Sequence, residues 1–307
     1  MAVRNESEDT RRRAVVPAGR ASVSLCARPG DRVDVLGVGV SVTDMGHALD
    51  TIEGWIERGE RHYVCVTSVH GIMESQRDPE LTRIHNHSGL TVPDGAPVLW
   101  AGRLAGAREM RRVRGQDLMP ALCERASRRG WRSFLLGGAP GTPELLAQKL
   151  ASRYPGLDIC GTLSPPFGAV PEAENDRIIA VVNSSGADLV WVGLSTPKQE
   201  HWMAANAGRL NARVLLGVGA AFDVHAGLLP QAPAWLRPTG LEWVWRLAHE
   251  PRRLWRRYLR NNPMFIGEIL RHPPRLRQSL PSLATVDDAR GVRYQPAATA
   301  VSGGADV

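Results

Sequence analysis

From residue 32 onward, apolar and polar positions follow two alternating rhythms. Short apolar runs, such as "HYVCVTSV", "WRSFLLGG", "ADLVWVGL" and "ARVLLGVG", read as strands buried on both faces of a sheet. Between them lie stretches whose apolar residues recur three and four positions apart. "DMGHALDTIEGWIERG", "GQDLMPALCERASRRG", "TPELLAQKLASRY" and "EAENDRIIAVVNSS" have this spacing, which suits a helix with one buried face. "VDVLGVGVSV" (33–42) reads as a strand or hairpin, and "LTVPDGAPVLW" as a short strand, a turn at Pro93-Asp94-Gly95 and a helix. The alternation predicts an α/β fold: a Rossmann-like, mostly parallel sheet flanked by helices, with ligands at the carboxyl ends of the strands.

After Ala221 the texture changes. "PAWLRPTGLEWVWRLAHEPRRLWRRYLRNNPMFIGEILRHPP" is rich in arginine and tryptophan, and its prolines predict two or three short helices broken at Pro251 and Pro263. The expected organisation is an α/β core at 32–236 and a helical Arg/Trp-rich appendage at 237–278. The polar stretches 1–31 and 279–307 lack apolar periodicity and are expected to be disordered tails.

Charge singles out the appendage. The 307-residue chain carries a net charge of +7, and of its 38 basic residues only Lys149 and Lys198 are lysines. Residues 237–277 hold ten arginines against Glu242, Glu250 and Glu268, so the whole excess lies there. Such a segment calls for an anionic partner. With tryptophans interleaved, three readings stay open: an RNA- or DNA-binding arm, a solvated charged face, or a helix lying on anionic lipid. No apolar run approaches the roughly 18 residues that span a bilayer, and the charged N-terminus is no secretory signal. Cys26, Cys65, Cys123 and Cys160 are scattered without C-x-x-C spacing, as expected of reduced thiols in the cytoplasm.

Candidate chemistry falls at strand-to-helix turns. In "LVWVGLSTPKQEHW", Lys198, Gln199 and Glu200 follow a proline expected at the first helical position, where backbone N–H groups point at an anion. Asp94 is either a helix N-cap or a carboxylate at the sheet edge able to act as general base. Gly137, Gly138 and Gly141 in "FLLGGAPGTPELL" could cradle a phosphate or merely turn tightly, and "LLGVGAAFDVHAG" lacks the third glycine of a dinucleotide fingerprint. His85 and His87 fall on different faces of a helix, and no Asp-x-Asp occurs, so no metal site is expected. Arginines or helix N-termini would then have to neutralise a leaving diphosphate.

Together these residues resemble the WecG/TagA/CpsF family of bacterial glycosyltransferases. The resemblance runs from about Val33 to Phe265 through "VTSVHGIMESQRDPEL", "TVPDGAPVLW", "RRVRGQDL", "SFLLGGAPGT", "VGLSTPKQEHW", "GVGAAFDVHAG", "APAWLRPTGLEWVWRL" and "EPRRLWRRY". It implies an inverting, metal-independent transferase that needs no cofactor. Such an enzyme moves a hexose or N-acetylhexosamine-type sugar from a nucleotide donor, usually a UDP-sugar, to a polyprenyl-diphosphate-linked acceptor. It works at the inner face of the cytoplasmic membrane, in teichoic acid, capsule or exopolysaccharide synthesis. By the same resemblance Asp94 is the catalytic base, and Thr67, Arg112 and Gln199 belong to the pocket. Lys198 joins the donor pocket as part of the same turn, with Gly137 and Gly138 as candidate donor contacts. Arg246, Arg253 and Arg256 would close over the donor diphosphate, and the tail would dock on an anionic membrane rather than nucleic acid. A homo-oligomer stays open. The chain departs from the family pattern at Val69, where an asparagine is common and which His70 follows, and at Arg111, where an acidic residue is common. The alternative is an RNA-binding protein using the Arg/Trp arm.

Overall fold

The computed structural model describes residues 30–277, apart from residues 169, 234, 237 and 238 and the side chain of Arg253. The two tails expected at 1–31 and 279–307 fall, except for Gly30 and Asp31, outside the described residues.

The chain begins with a hairpin, β1 (Arg32–Val35) and β2 (Val38–Ser41). Its turn residues Leu36 and Gly37 are both left-handed, at φ 53° and 84°, a turn whose twist matches that of the paired strands. Helix α1 (Met45–Arg58), N-capped by the Asp44 side chain, leads to β3 (His62–Thr67). Then come α2 (Val69–Ser75), α3 (Pro79–His87), β4 (Leu90–Pro93), α4 (Ala96–Leu104) and α5 (Gly115–Arg129). The second half runs β5 (Arg132–Gly137), α6 (Thr142–Arg153), β6 (Asp158–Leu163) and α7 (Glu172–Ser185). It continues through β7 (Leu189–Gly193), α8 (Lys198–Asn206), β8 (Val214–Gly217) and the short α9 (Ala221–His225).

Six of these strands form one parallel sheet in the order β4-β3-β8-β7-β5-β6, the expected α/β architecture. Neighbouring residues of β7 show how its sequence places it centrally. Leu189 and Trp191 enter one core with Val64 and Leu216, whereas Val190 and Val192 enter the other with Cys65 and Leu215. Covered on both faces, the strand is an unbroken apolar run.

The appendage comprises α10 (Glu242–His249), α11 (Pro251–Arg271) and a short strand, β9 (Arg275–Arg277). Pro251 starts α11, as its missing N–H allows. The break expected at Pro263 does not occur, and α11 runs on for 21 residues. Pro263 lies on the exposed face, where the Leu259 carbonyl that loses its helical partner can be hydrated. Leu254, Asn261 and Phe265, all buried and on one helical face, hold the helix down on either side of it. Strand β9, not foreseen from the sequence, pairs antiparallel with β1 to give a second sheet, β2-β1-β9. Phe265 packs into the same core as Val33, Val35, Val38 and Val40. The appendage is thus stitched back to the first strand of the chain.

Candidate active site

A cleft enclosing about 1260 Å³, mouth included, lies at the carboxyl ends of β3, β4, β7 and β8. Its floor is Val66 and Ser68, Asp94 and Gly95, Ser195 and Thr196, and residues 218–221. Its far wall is Glu242, Trp243 and Arg246 from α10, with Arg257, Tyr258, Asn261 and Asn262 from α11. This is the place where an open α/β sheet presents its loops to a ligand.

Asp94 follows β4 directly, and its backbone N–H donates to the Thr67 carbonyl at 2.8 Å. Gly95, not Asp94, is the N-cap of α4, so the Asp94 carboxylate is not spent on capping. Burial pushes its pKa above the usual aspartate value, and Glu242 adds to the rise. Arg246, Arg112 and Arg114 pull the other way. A carboxylate held on a cleft floor with a raised proton affinity is equipped to take a proton from a substrate hydroxyl.

The basic groups are arranged by one acid. Glu242, in the first turn of α10, receives Arg112 Nη1 on Oε2 at 2.9 Å and Arg114 Nη1 on Oε1 at 2.5 Å. Arg114 also holds Asp117 through Nε at 2.5 Å. This fork ties the appendage to the core and leaves Arg246, one turn further along, facing the cleft beside Asp94. Glu242 and Arg114 were not singled out from the sequence, although "RRVRGQDL" and "GLEWVWRL" contain them.

A second tie involves His70, which lines the cleft. Asn261 accepts from Arg77 Nη2 on Oδ1 at 3.2 Å and donates through Nδ2 to His70 Nδ1 at 3.1 Å. The ring therefore acts as an acceptor and is neutral. Burial, with Arg257 and Arg77 nearby, lowers its pKa to about 4. Arg111, at the other departure from the family pattern, is exposed and donates to the Arg108 and Met110 carbonyls.

Asp94, Arg112, Gln199 and Arg246 converge on the cleft. Thr67 lies just beneath, fully buried between Val66 and Ser68, with its Oγ1 tight against Gly71. Other expected site residues sit elsewhere. Helix α8 begins at Lys198, with Pro197 as its N-cap, and the exposed Lys198 ammonium lies 5.2 Å from the Phe167 ring centroid, outside the cleft. Gly137 and Gly138 are also outside it. A Cβ on Gly137 would come within 2.6 Å of the Gly193 carbonyl carbon, and one on Gly138 within 2.9 Å of Thr142. Close packing at both positions leaves no room for a side chain. Arg256 is exposed with its guanidinium 5.2 Å from the Trp255 ring centroid, and its neighbour Arg257 turns inward instead. The Arg253 side chain is outside the described residues. Among the described residues no group of three or more His, Cys, Asp or Glu side chains is placed to hold a metal ion.

The model of the Glycosyl transferase WecG/TagA/CpsF family matches residues 33–279. The chain is also similar to an N-acetylglucosaminyldiphosphoundecaprenol N-acetyl-beta-D-mannosaminyltransferase of Bacillus spizizenii (strain ATCC 23059 / NRRL B-14472 / W23). The two are 29% identical over 199 residues, covering 65% of this chain and 75% of the relative. The matched region takes in both walls of the cleft, and the chain belongs to the WecG/TagA/CpsF family of glycosyltransferases.

Proposed function

We propose that the cleft moves a hexose or N-acetylhexosamine-type sugar from a UDP-sugar to a sugar carried on a polyprenyl diphosphate, in cell-surface polysaccharide or teichoic acid synthesis. The name of the Bacillus spizizenii relative supports an N-acetylmannosamine donor and an acceptor ending in N-acetylglucosamine. The observation that carries the reading is the pairing of a half-buried Asp94 with raised proton affinity on the floor with inward arginines on the wall.

In this reading the ionised Asp94 carboxylate removes the proton of the acceptor hydroxyl. The freed oxygen bonds to the anomeric carbon from the face opposite the diphosphate, while the bond from that carbon to the β-phosphate oxygen breaks. The electron pair departs with UDP, and the anomeric configuration inverts. Negative charge grows on the diphosphate as its bond to the anomeric carbon breaks, so fixed cations close to it stabilise the transition state more than the ground state. Arg246 and Arg257 are placed for this on the wall, with Arg112 at its foot. Guanidinium groups supply the counter-charge, and a divalent ion is not required.

The acceptor's lipid calls for a membrane surface. Helix α11 exposes Trp255, Leu259, Ile266 and Leu270 at spacings that share one face, with Arg252, Arg256 and Arg260 exposed nearby. Each basic residue at an anionic surface contributes about 1 kcal/mol. No helix of the described residues is long and apolar enough to cross a membrane, so we assign peripheral docking to this face.

The test is transfer by the purified full chain from UDP-N-acetylmannosamine to a short-chain N-acetylglucosaminyl-diphosphoprenol, with and without EDTA. A disaccharide product formed equally under both conditions is expected. Absence of both nucleotide binding and product would overturn the reading. A loss in EDTA that manganese restores would overturn the arginine counter-charge.

A further inference from the structure

Gln199 and Glu200 adjoin in the first turn of α8, and both are buried, at 2% and 0% exposure. Gln199 borders the cleft and Glu200 does not. Oε1 of Glu200 accepts from the Thr196 hydroxyl at 2.9 Å and from Gln199 Nε2 at 3.0 Å. A carboxylate oxygen only accepts, so the Gln199 atom that faces it is the amide nitrogen. A flipped amide would set two acceptors against each other between two buried side chains. The Gln199 carbonyl oxygen is therefore turned the other way. It has no partner within the protein, and it lies 3.5 Å from where a Cβ on Gly219, a cleft residue, would stand.

The "GVG" at the end of β8 makes room for this arrangement. A Cβ on Gly217 would come within 3.1 Å of Gln199 Nε2 and 2.6 Å of Met203 Cε. Gly217 thus leaves the space that the Gln199 side chain fills.

We infer that Glu200 is a positioning residue that holds the Gln199 amide with its carbonyl oxygen toward the cleft, so that this position recognises a hydrogen-bond donor of the nucleotide sugar and turns away a phosphate oxygen. The inference rests on the donor reading above. The recognised donor is either the imide N–H of the base or a hydroxyl or N–H of the sugar. In both cases it is neutral, and the diphosphate is left to the arginines across the cleft.

Calorimetric binding to the full chain tests this with UDP, N3-methyl-UDP, UDP-N-acetylmannosamine, and analogues of the last lacking one hydroxyl or the N-acyl group. Removing the recognised donor should weaken binding to the wild-type protein by about tenfold, and the difference should vanish in Gln199→Met. A methylation effect assigns the base, and a deoxygenation or deacylation effect assigns the sugar. A second arm concerns Glu200 itself. Gln199→Glu alone sets two carboxylates together and should weaken UDP-sugar binding. Adding Glu200→Gln restores an inner amide and an outward acceptor, and should regain most of the loss. The inference is overturned if no analogue effect depends on residue 199. It is equally overturned if the double variant, melting like the wild type, regains nothing. If the double variant melts low, the analogue series decides alone. Failure of the wild-type protein to bind UDP and its sugars would instead defeat the donor reading itself.

Discussion

The floor of the cleft is made of strand ends and buried side chains, whereas its far wall is two helices that keep tryptophan and arginine partly in solvent. On the floor, Asp94 is set by a backbone hydrogen bond to Thr67, and Gln199 by the buried Glu200. The wall is attached by the Glu242 fork, by Asn261 between Arg77 and His70, and by β9 paired to β1. On the proposed reading, the groups that meet the reacting atoms thus come from the sheet. Charge and the exclusion of water come from helices whose polar ties can be cut one at a time.

The largest effect separates the floor from everything else. Asp94→Asn should lower kcat by about 10²–10⁴-fold while leaving UDP-sugar affinity nearly unchanged, because the base acts on the acceptor. The same variant should melt higher than the wild type at neutral pH. Burial raises the folded-state pKa of Asp94, so its contribution to stability is greatest at low pH, where it is protonated. That contribution is lost as pH rises from the unfolded-state value through the raised one. The melting difference should therefore shrink toward pH 3, and near-normal turnover or a lower melting point would break the assignment.

The wall should fail next through its anchor. Phe265→Ala should cost about 3–5 kcal/mol, measured by chemical denaturation, because Phe265 fills the core of the small sheet. For the same reason, deleting the residues after 237 removes β9 and Phe265 together, and should destabilise the β1–β2 hairpin rather than release an intact core. Two adjacent arginines then sharpen the comparison. Arg257→Ala should lower kcat about tenfold or more through lost charge stabilisation. Arg256→Ala, on the outer face, should leave transfer in detergent unchanged and weaken binding to anionic vesicles. Equal effects on both readouts would erase the distinction between the faces.

The smallest effect is in pH. The folded-state pKa of His70, about 4, lies below its ordinary value of 6.5. Its contribution to stability is therefore complete above about pH 6.5 and declines as pH falls toward about 4. In His70→Gln, unfolding free energy should vary less over that interval, and an unaltered slope would show that the Asn261 tie is not made by a neutral ring.

The order of strands and helices was readable because doubly covered strands are apolar runs and helices keep one apolar stripe. The turn carrying Asp94 was readable for the same reason, lying where one rhythm gives way to the other. The appendage was less legible. With arginine at positions 252, 253, 256, 257 and 260, charge has no period, so only the burial of Leu254, Asn261 and Phe265 tells that Arg257 points in and Arg256 out. Strand β9 is "RLR", too short and polar to announce itself, and it forms only because β1 offers a free edge. Glu200 looked like an ordinary acid in a first helical turn. Its burial beneath Gln199 is a property of the packed sheet, with no periodic trace in the chain.

A structure determined with UDP bound tests the central claim most directly. The diphosphate should lie between the wall and the floor, within hydrogen-bonding distance of Arg246 or Arg257 and on the Asp94 side of the sheet. A diphosphate seated instead at Gly137 and Gly138, where β5 ends beside β7, with neither arginine in contact with it, would contradict it.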